Sequence, residues 1–143
     1  MSDLRAVIEA FQTRLWGKGD PSVIDELMSD DVEVFGIEAE PMHGGAAYAA
    51  LHRMLAAQFA DITVVILHTV EDGEWIAGES MFAARHRARG GEIAARSMFM
   101  ARIVHGKIVS MRSILDLLSA FEQAGLLPPL TLESLLLGRR PKL

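Results

Sequence analysis

Cysteine is absent from the 143 residues of this chain, and its absence removes several kinds of chemistry. Without cysteine there can be no disulfide, no thiolate nucleophile and no thiolate metal site. Long apolar runs are also missing, because Thr63, His68 and Thr69 interrupt the longest one, residues 62–70. That run is far shorter than the ~20 residues of a membrane span. The sequence therefore predicts no membrane association, and since its first residues follow no signal-peptide pattern, it predicts a cytoplasmic location.

The chain has 14 basic and 19 acidic residues, and its net charge is −5 at pH 7. The one basic cluster, Arg139, Arg140 and Lys142, lies at the C-terminal end, where chain ends are usually solvated. Nucleic-acid binding is therefore disfavoured, because it needs a basic surface. The histidines lack the helical i, i+4 spacing and the neighbouring glutamate of zinc hydrolases, so neither a metal site nor another cofactor is predicted.

Hydrophobic residues are abundant. They make up 50% of the chain, and the mean hydropathy is +0.23. So much apolar surface suggests a lined cavity or a subunit interface beyond an ordinary core. The length fits one domain, and no repeat or linker divides the sequence. We therefore expect residues 1–143 to form a single domain, with residues 126–143 as a C-terminal extension.

Helical patterns come first in the chain and strand patterns follow. Helices are predicted over 3–16, over a short segment that begins at Pro21 with Asp20 as its N-cap, and over 46–59. Strands are predicted over 32–37, 62–70, 75–87, 92–104 and 107–116, with a short helix at 117–124 and an apolar turn at 132–137. Helices followed by a meander of strands are typical of an α+β domain with an antiparallel sheet.

One face of the predicted sheet carries no charged side chain, and we expect it to lie under the helices. Its members are Ser80, Phe82, His86, Ser97, Phe99, Met111 and Ser113. A four-residue loop at 88–91 would place Phe82 beside Ser97. A three-residue turn at 104–106 would place Phe99 beside Met111.

The opposite face mixes arginines with large apolar residues. It holds Glu79, Arg96, Arg102 and Arg112 together with Trp75, Met81, Met98, Met100, Ile108 and Ile114. A face turned wholly to water would not need such large apolar side chains, and arginine and methionine are enriched at protein interfaces. The sequence therefore predicts a homodimer through this outer face.

Several segments resemble a known superfamily in their order and spacing. They are LWGKGDP at 15–21, IDELMSDDV at 24–32, GKIV at 106–109 and DLLSAFEQAGLLPP at 116–129. Over about residues 4–129 the chain resembles the nuclear-transport-factor-two-like superfamily, and within it the SnoaL-like polyketide cyclases. The resemblance implies a cone-shaped roll: a curved antiparallel sheet packed on three N-terminal helices, enclosing an apolar pocket, usually in a dimer.

The catalytic groups of these relatives are largely missing here. SnoaL-like cyclases use an Asp that follows an Arg on the last strand, but Arg112 is followed by Ser113. Their Asn on the third helix falls at Leu51 and their strand His at Phe99, whereas the Arg-His pair of the middle strand remains as Arg85 and His86.

Two related mechanisms also lack their residues. The Asp-Arg-Asp set of limonene epoxide hydrolases falls at Ser80, Phe82 and Ser113, and the base and tyrosine of ketosteroid isomerases fall at Gly36 and Gln12. All three mechanisms require a carboxylate in the pocket, and the uncharged face supplies none. Asp116 is expected to cap the following helix rather than enter the pocket.

The sequence nevertheless predicts a pocket for a small hydrophobic molecule with a carbonyl or hydroxyl group. The expected ligand-binding residues are Trp16, Phe35, Leu51, Leu55 and the uncharged-face residues Ser80, Phe82, His86, Ser97, Phe99, Met111 and Ser113. His86 and Ser113 are the candidate catalytic residues, although a strand-end histidine is often only structural.

Three interpretations stay open. The first is a cyclase-, isomerase- or hydrolase-type enzyme that works without the usual carboxylates. The second is a non-catalytic protein that binds the ligand. The third is a dimeric accessory domain whose pocket is filled by side chains such as Phe82, Phe99 and Met111.

Overall fold

The computed structural model of the chain describes residues 3–36 and 39–142. Its elements are α1 (Asp3–Gln12), a π-helical turn (Thr13–Gly17), α2 (Ser22–Leu27), β1 (Met28–Phe35), β2 (Met42–His43), α3 (Gly45–Gln58), β3 (Phe59–Asp72), β4 (Trp75–His86), β5 (Glu92–Val104), β6 (Lys107–Leu115), α4 (Leu117–Gln123) and α5 (Thr131–Leu136). The strand predicted over 32–37 begins earlier than expected, at Met28, and its last predicted residue lies outside the described residues.

The strands form one curved, open sheet of six strands in the order β2-β1-β6-β5-β4-β3. Neighbouring strands are antiparallel except β1 and β6, which run parallel and bring the first long strand beside the last one. The N-terminal helices cover one face of this sheet. The predicted α+β fold is therefore confirmed, and the parallel pair is an addition to the predicted antiparallel sheet.

Two strand registers differ from their predictions because the connections have other lengths. Arg85 and Glu92 form the last pair of β4 and β5, with residues 86–91 between them, so Phe82 lies opposite Ala95 rather than Ser97. His105 and Gly106, with φ of 51° and 73°, form the two-residue turn between β5 and β6 that favours left-handed residues. The turn shifts the pairing by one residue and an irregularity in β6 shifts it by one more, so Phe99 lies opposite Ser113 rather than Met111. Each register shifts by two residues, which leaves the side chains on their predicted faces.

Ile108 is the exception to the predicted faces. The register of β5 with β6 slips between Arg102 and Ile103, which pair with Ser110 and Ile108. Because this irregularity gives β6 an additional residue, Ile108 turns towards the core and is fully buried. Its predicted place on the outer face was therefore wrong.

The core consists of two clusters of buried side chains. The larger one joins α1, α2 and β1 to the inner face of β5 and β6 and includes Ile8, Phe11 and Ile108. The smaller one includes Phe59 and Phe82 and packs under α4. Trp16, from the π-helical turn, packs against both clusters, so the region between them is walled by helices and sheet together.

None of the helices within residues 3–36 and 39–142 has both the length and the apolar character that a bilayer span requires.

Candidate ligand cavity between the helices and the sheet

A cavity of about 80 Å³ lies between the helices and the inner face of the sheet. Its walls come from α1, the π-helical turn, α3, β1 and strands β3 to β6. The lining residues are Phe11, Gln12, Trp16, Val34, Phe35, Tyr48, Leu51, Leu55, Val64, Ser80, Phe82, Ser97, Met111, Ser113 and Leu115. Most of them are apolar, so the polar groups among them decide what the cavity can recognise.

Most of the residues predicted to bind a ligand meet at this cavity. Those in its lining are Trp16, Phe35, Leu51, Leu55, Ser80, Phe82, Ser97, Met111 and Ser113. Phe35 is only partly buried and carries the Arg112 guanidinium over its ring, 4.3 Å from the centroid. This cation–π contact holds Phe35 at the border of the cavity.

His86 and Phe99 lie on the inner face, as predicted, but outside the cavity lining. His86 ends β4, where its ring packs edge-on against Phe59 at 5.4 Å and its Nδ1 accepts a hydrogen bond from the Arg89 backbone N–H at 3.3 Å. Phe99 covers Gly78, where an added Cβ would lie 2.8 Å from the tip of the Phe99 ring. Both side chains therefore have structural contacts away from the cavity.

Three serine hydroxyls border the cavity from three neighbouring strands. Ser80 of β4 pairs directly with Ser97 of β5, and Ser97 pairs in turn with Leu115, two residues from Ser113 on β6. Residues two apart on a strand share a face, so the three hydroxyls form a row across the sheet. A serine hydroxyl can donate or accept a hydrogen bond. The row can therefore bind a ligand group that is either a donor or an acceptor.

Gln12 is a polar cavity residue that the sequence did not single out. It ends α1, only 9% of its surface is exposed, and its Oε1 has no hydrogen-bond partner among the described residues. Leaving a buried acceptor unpaired costs about 1–3 kcal/mol. The sequence analysis considered this position only because Gln12 stands where ketosteroid isomerases have a tyrosine. That correspondence was the signal that could have placed Gln12 in the pocket.

Tyr48, on α3, is the second polar cavity residue that the sequence did not single out. The ring lies 6.4 Å from Trp16 between centroids, and the hydroxyl is hydrogen-bonded to the Trp16 side chain, whose indole N–H can only donate. Burial raises the pKa of Tyr48 to about 12. The hydroxyl is thus neutral near pH 7 and keeps its own proton for donation.

His52, one helical turn after Tyr48, supports the same arrangement from outside the cavity lining. Its ring packs edge-on against Trp16 at 4.8 Å. Burial lowers the pKa of His52, and a hydrogen bond with the Leu15 backbone opposes that shift only in part. His52 is therefore neutral near pH 7 and acts as a packing partner of Trp16.

The sequence profile of the SnoaL-like domain matches residues 5–111, most of the chain. The chain belongs to the SnoaL-like domain family. This assignment confirms the resemblance that the sequence segments indicated.

Solved structures share the fold of this SnoaL-like chain. IdmH from Streptomyces antibioticus, provisionally assigned as a polyketide cyclase, is 19% identical, with a TM-score of 0.77 over 85% of this chain and 98% of its own. A provisionally assigned SnoaL-like polyketide cyclase from Jannaschia sp. CCS1 is 16% identical, with a TM-score of 0.78 over 88% and 94%. An epoxide hydrolase of the LEH-like type from M. tuberculosis is 19% identical, with a TM-score of 0.70 over 95% and 96%. Among curated proteins, none matches the sequence significantly.

Among the described residues, 3–36 and 39–142, no carboxylate lines the cavity of this SnoaL-like chain. At Gly36, the position of the ketosteroid isomerase base, an added Cβ would overlap the Ser113 carbonyl oxygen and lie 2.8 Å from its carbon. No side chain can enter the cavity from that position without a backbone shift. In the same described part of the chain, no three His, Cys, Asp or Glu side chains are grouped so that they could hold a metal ion.

Proposed function

We propose that this chain binds a small, neutral and mostly apolar molecule whose hydroxyl or carbonyl group enters the cavity. The observation that carries the proposal is the combination of apolar walls with buried hydrogen-bonding groups, among them the unpaired oxygen of Gln12. Binding sites for small molecules have this composition: largely apolar walls and a few well-placed polar groups. Buried polar side-chain atoms are usually hydrogen-bonded, so an unpaired acceptor at a cavity is suited to a group that a ligand would supply.

The volume of the cavity limits how much of the ligand it takes. At about 80 Å³ it is roughly half of the ~150 Å³ cavity that accepts benzene. The polar end of a ligand fits, and the remainder lies beside the partly exposed Phe35 or displaces flexible side chains such as Met111. The space that remains beside Phe82 and Met111 favours ligand binding over a pocket filled by its own side chains.

The chemistry of the lining favours binding over acid–base catalysis. The described lining residues include no carboxylate and no histidine, so none of them can exchange a proton near neutral pH. Tyr48 can donate to a ligand carbonyl, but polarising a carbonyl without a base does not complete a cyclisation or an isomerisation. The catalytic role predicted for His86 has no cavity contact to support it, and the proposal does not use it.

The first experiment is native mass spectrometry of freshly purified protein, followed by thermal-shift measurements with small alcohols and ketones. A ligand at 100 times its Kd stabilises the folded chain by about 2.7 kcal/mol. Ser97→Leu places a large side chain in the cavity, and we expect it to weaken binding at least about tenfold, which corresponds to about 1.4 kcal/mol. Ser110→Leu is the matched control, since Ser110 pairs with the outward-facing Arg102.

Two results would contradict the proposal. One is a protein that carries no bound mass and is stabilised by no member of the panel. The other is a folded Ser97→Leu variant that binds ligands as tightly as the Ser110→Leu control does.

We also propose a homodimer through the outer face of the sheet. Met98, Met100 and Ile114 expose 55%, 39% and 69% of their surface there, and Val65 of β3 exposes 56%. Contiguous apolar side chains of this kind are rarely left in water. The cytoplasmic location predicted from the sequence stays a prediction.

A further inference from the structure

We propose that the cavity selects a hydroxyl compound, an alcohol or a phenol, whose O–H donates to Gln12 Oε1. The proposal rests on the ligand-binding function proposed above and goes beyond it by choosing the hydroxyl over the carbonyl. It makes Gln12 the residue that determines specificity.

The first step concerns the position of Gln12. It is the last residue of α1, and the π-helical turn Thr13–Gly17 follows it directly. The wider turn places Trp16 on the cavity together with Gln12. Short π-helical segments inside helices are frequently found at functional sites, and this one brings an amide and an indole to one wall.

The second step concerns polarity. Tyr48 and the serines of the lining carry hydroxyls, which rotate to donate or to accept. Gln12 Oε1 can only accept, and among the described residues it is a fully buried cavity-lining oxygen that lacks a partner. A ketone brings a second acceptor and leaves this oxygen unpaired. A hydroxyl donates to it and can still accept from a neighbouring hydroxyl.

The third step concerns the size of the discrimination. Sites built around a buried hydrogen-bonding group reject analogues that lack its counterpart much more strongly than apolar pockets reject a change in size. We therefore expect the wild-type chain to bind an alcohol at least about tenfold more tightly than the ketone of the same shape.

Cyclohexanol, cyclohexanone and methylcyclohexane test the proposal because they are nearly equal in shape. The first offers a donor and an acceptor, the second only an acceptor, and the third neither. Binding of each probe is measured by NMR during titration of the full chain. In Gln12→Met, whose side chain has similar length and no amide, the preference for cyclohexanol should fall to less than about threefold, as expected when the selecting group is removed. The matched control is Gln58→Met, at an exposed glutamine on α3.

The outcomes separate the two proposals. Binding of all three probes with equal affinity leaves the cavity function intact and overturns the role of Gln12. Tighter binding of cyclohexanone also overturns it, because the amide would then present its N–H to the ligand. Binding of none of the probes contradicts the ligand-binding function itself. Gln12→Met removes a buried unpaired group, so the variant should fold with equal or higher Tm.

Discussion

Gly36 follows β1 at a point where two backbones run too close for any side chain. Its φ is 133°, and a Cβ there would lie 2.8 Å from the Ser113 carbonyl carbon. A methyl group at this site meets rigid backbone rather than a flexible side chain. The residue therefore fixes how closely the end of β1 approaches β6, and thus the shape of the cavity wall.

Gly36→Ala should accordingly lower the free energy of unfolding by about 3 kcal/mol or more, because strained φ values and overpacking each cost about 1–3 kcal/mol. Chemical denaturation of the purified variant measures this loss. Gly17→Ala is the matched control, since a Cβ there meets no atom within 4 Å, and its change should stay below about 1 kcal/mol. Equal stabilities of the two variants would contradict this account of Gly36.

Single residues also show what the sequence could and could not reveal about the site. Alternation along the strands found Ser80, Ser97 and Ser113, because the side of a strand is a local property. Gln12 was missed because an unpaired hydrogen bond is visible only when every neighbour is in place. His86 was predicted into the pocket because alternation gives the face but not how far along the strand the cavity extends.

Asp116 acts at the scale of the element, as the N-cap of α4. Its Oδ1 accepts a hydrogen bond from the Ser119 backbone N–H at 3.0 Å, and its side chain is exposed. The predicted capping role is confirmed. This helix packs on the smaller core cluster through Ala120 and Ala124. A cap that stabilises its first turn therefore also stabilises the cluster that contains Phe82.

Replacing Asp116 with Ala should destabilise the protein by about 1 kcal/mol, the usual cost of losing an N-cap. Asp116→Asn keeps an acceptor at the cap, so its free energy of unfolding should fall by only a few tenths of a kcal/mol. Chemical denaturation curves measure both changes. If Asp116→Ala were neutral, the cap would contribute nothing and α4 would be held by packing alone.

The turns explain why the elements were predicted better than their registers. His105 and Gly106 marked a turn correctly, but the sequence did not separate a two-residue turn from a three-residue turn with a bulge. The irregularity that buries Ile108 lies inside β6, where no glycine or proline signals it. The parallel pairing of β1 with β6 depends on distant residues, and no local pattern could indicate it.

At the scale of the whole molecule, the outer face of the sheet predicts the oligomeric state. Met98 and Ile114 lie opposite each other on β5 and β6 and expose 55% and 69% of their surface. Replacing both with Lys places charge in the proposed interface, and like charges facing each other across it are costly. We expect light scattering to show a dimer for the wild-type chain and a monomer for the double variant.

Ala46→Lys is the control, because Ala46 is exposed on α3 and far from that face in the fold. This variant should remain dimeric. A monomeric wild-type chain at micromolar concentration would contradict the proposed dimer, and a dimeric double variant would place the interface elsewhere.

The pairing of β1 with β6 also sets an order of assembly. Val34 pairs with Met111 and Phe35 with Arg112, and Val34, Phe35 and Met111 all border the cavity. During translation β1 leaves the ribosome long before its partner strand exists, and contacts between such distant residues form late because closing a long loop is entropically costly. The nascent chain therefore has no complete binding site until β6 has been synthesised, and a ligand can stabilise the fold only after that point.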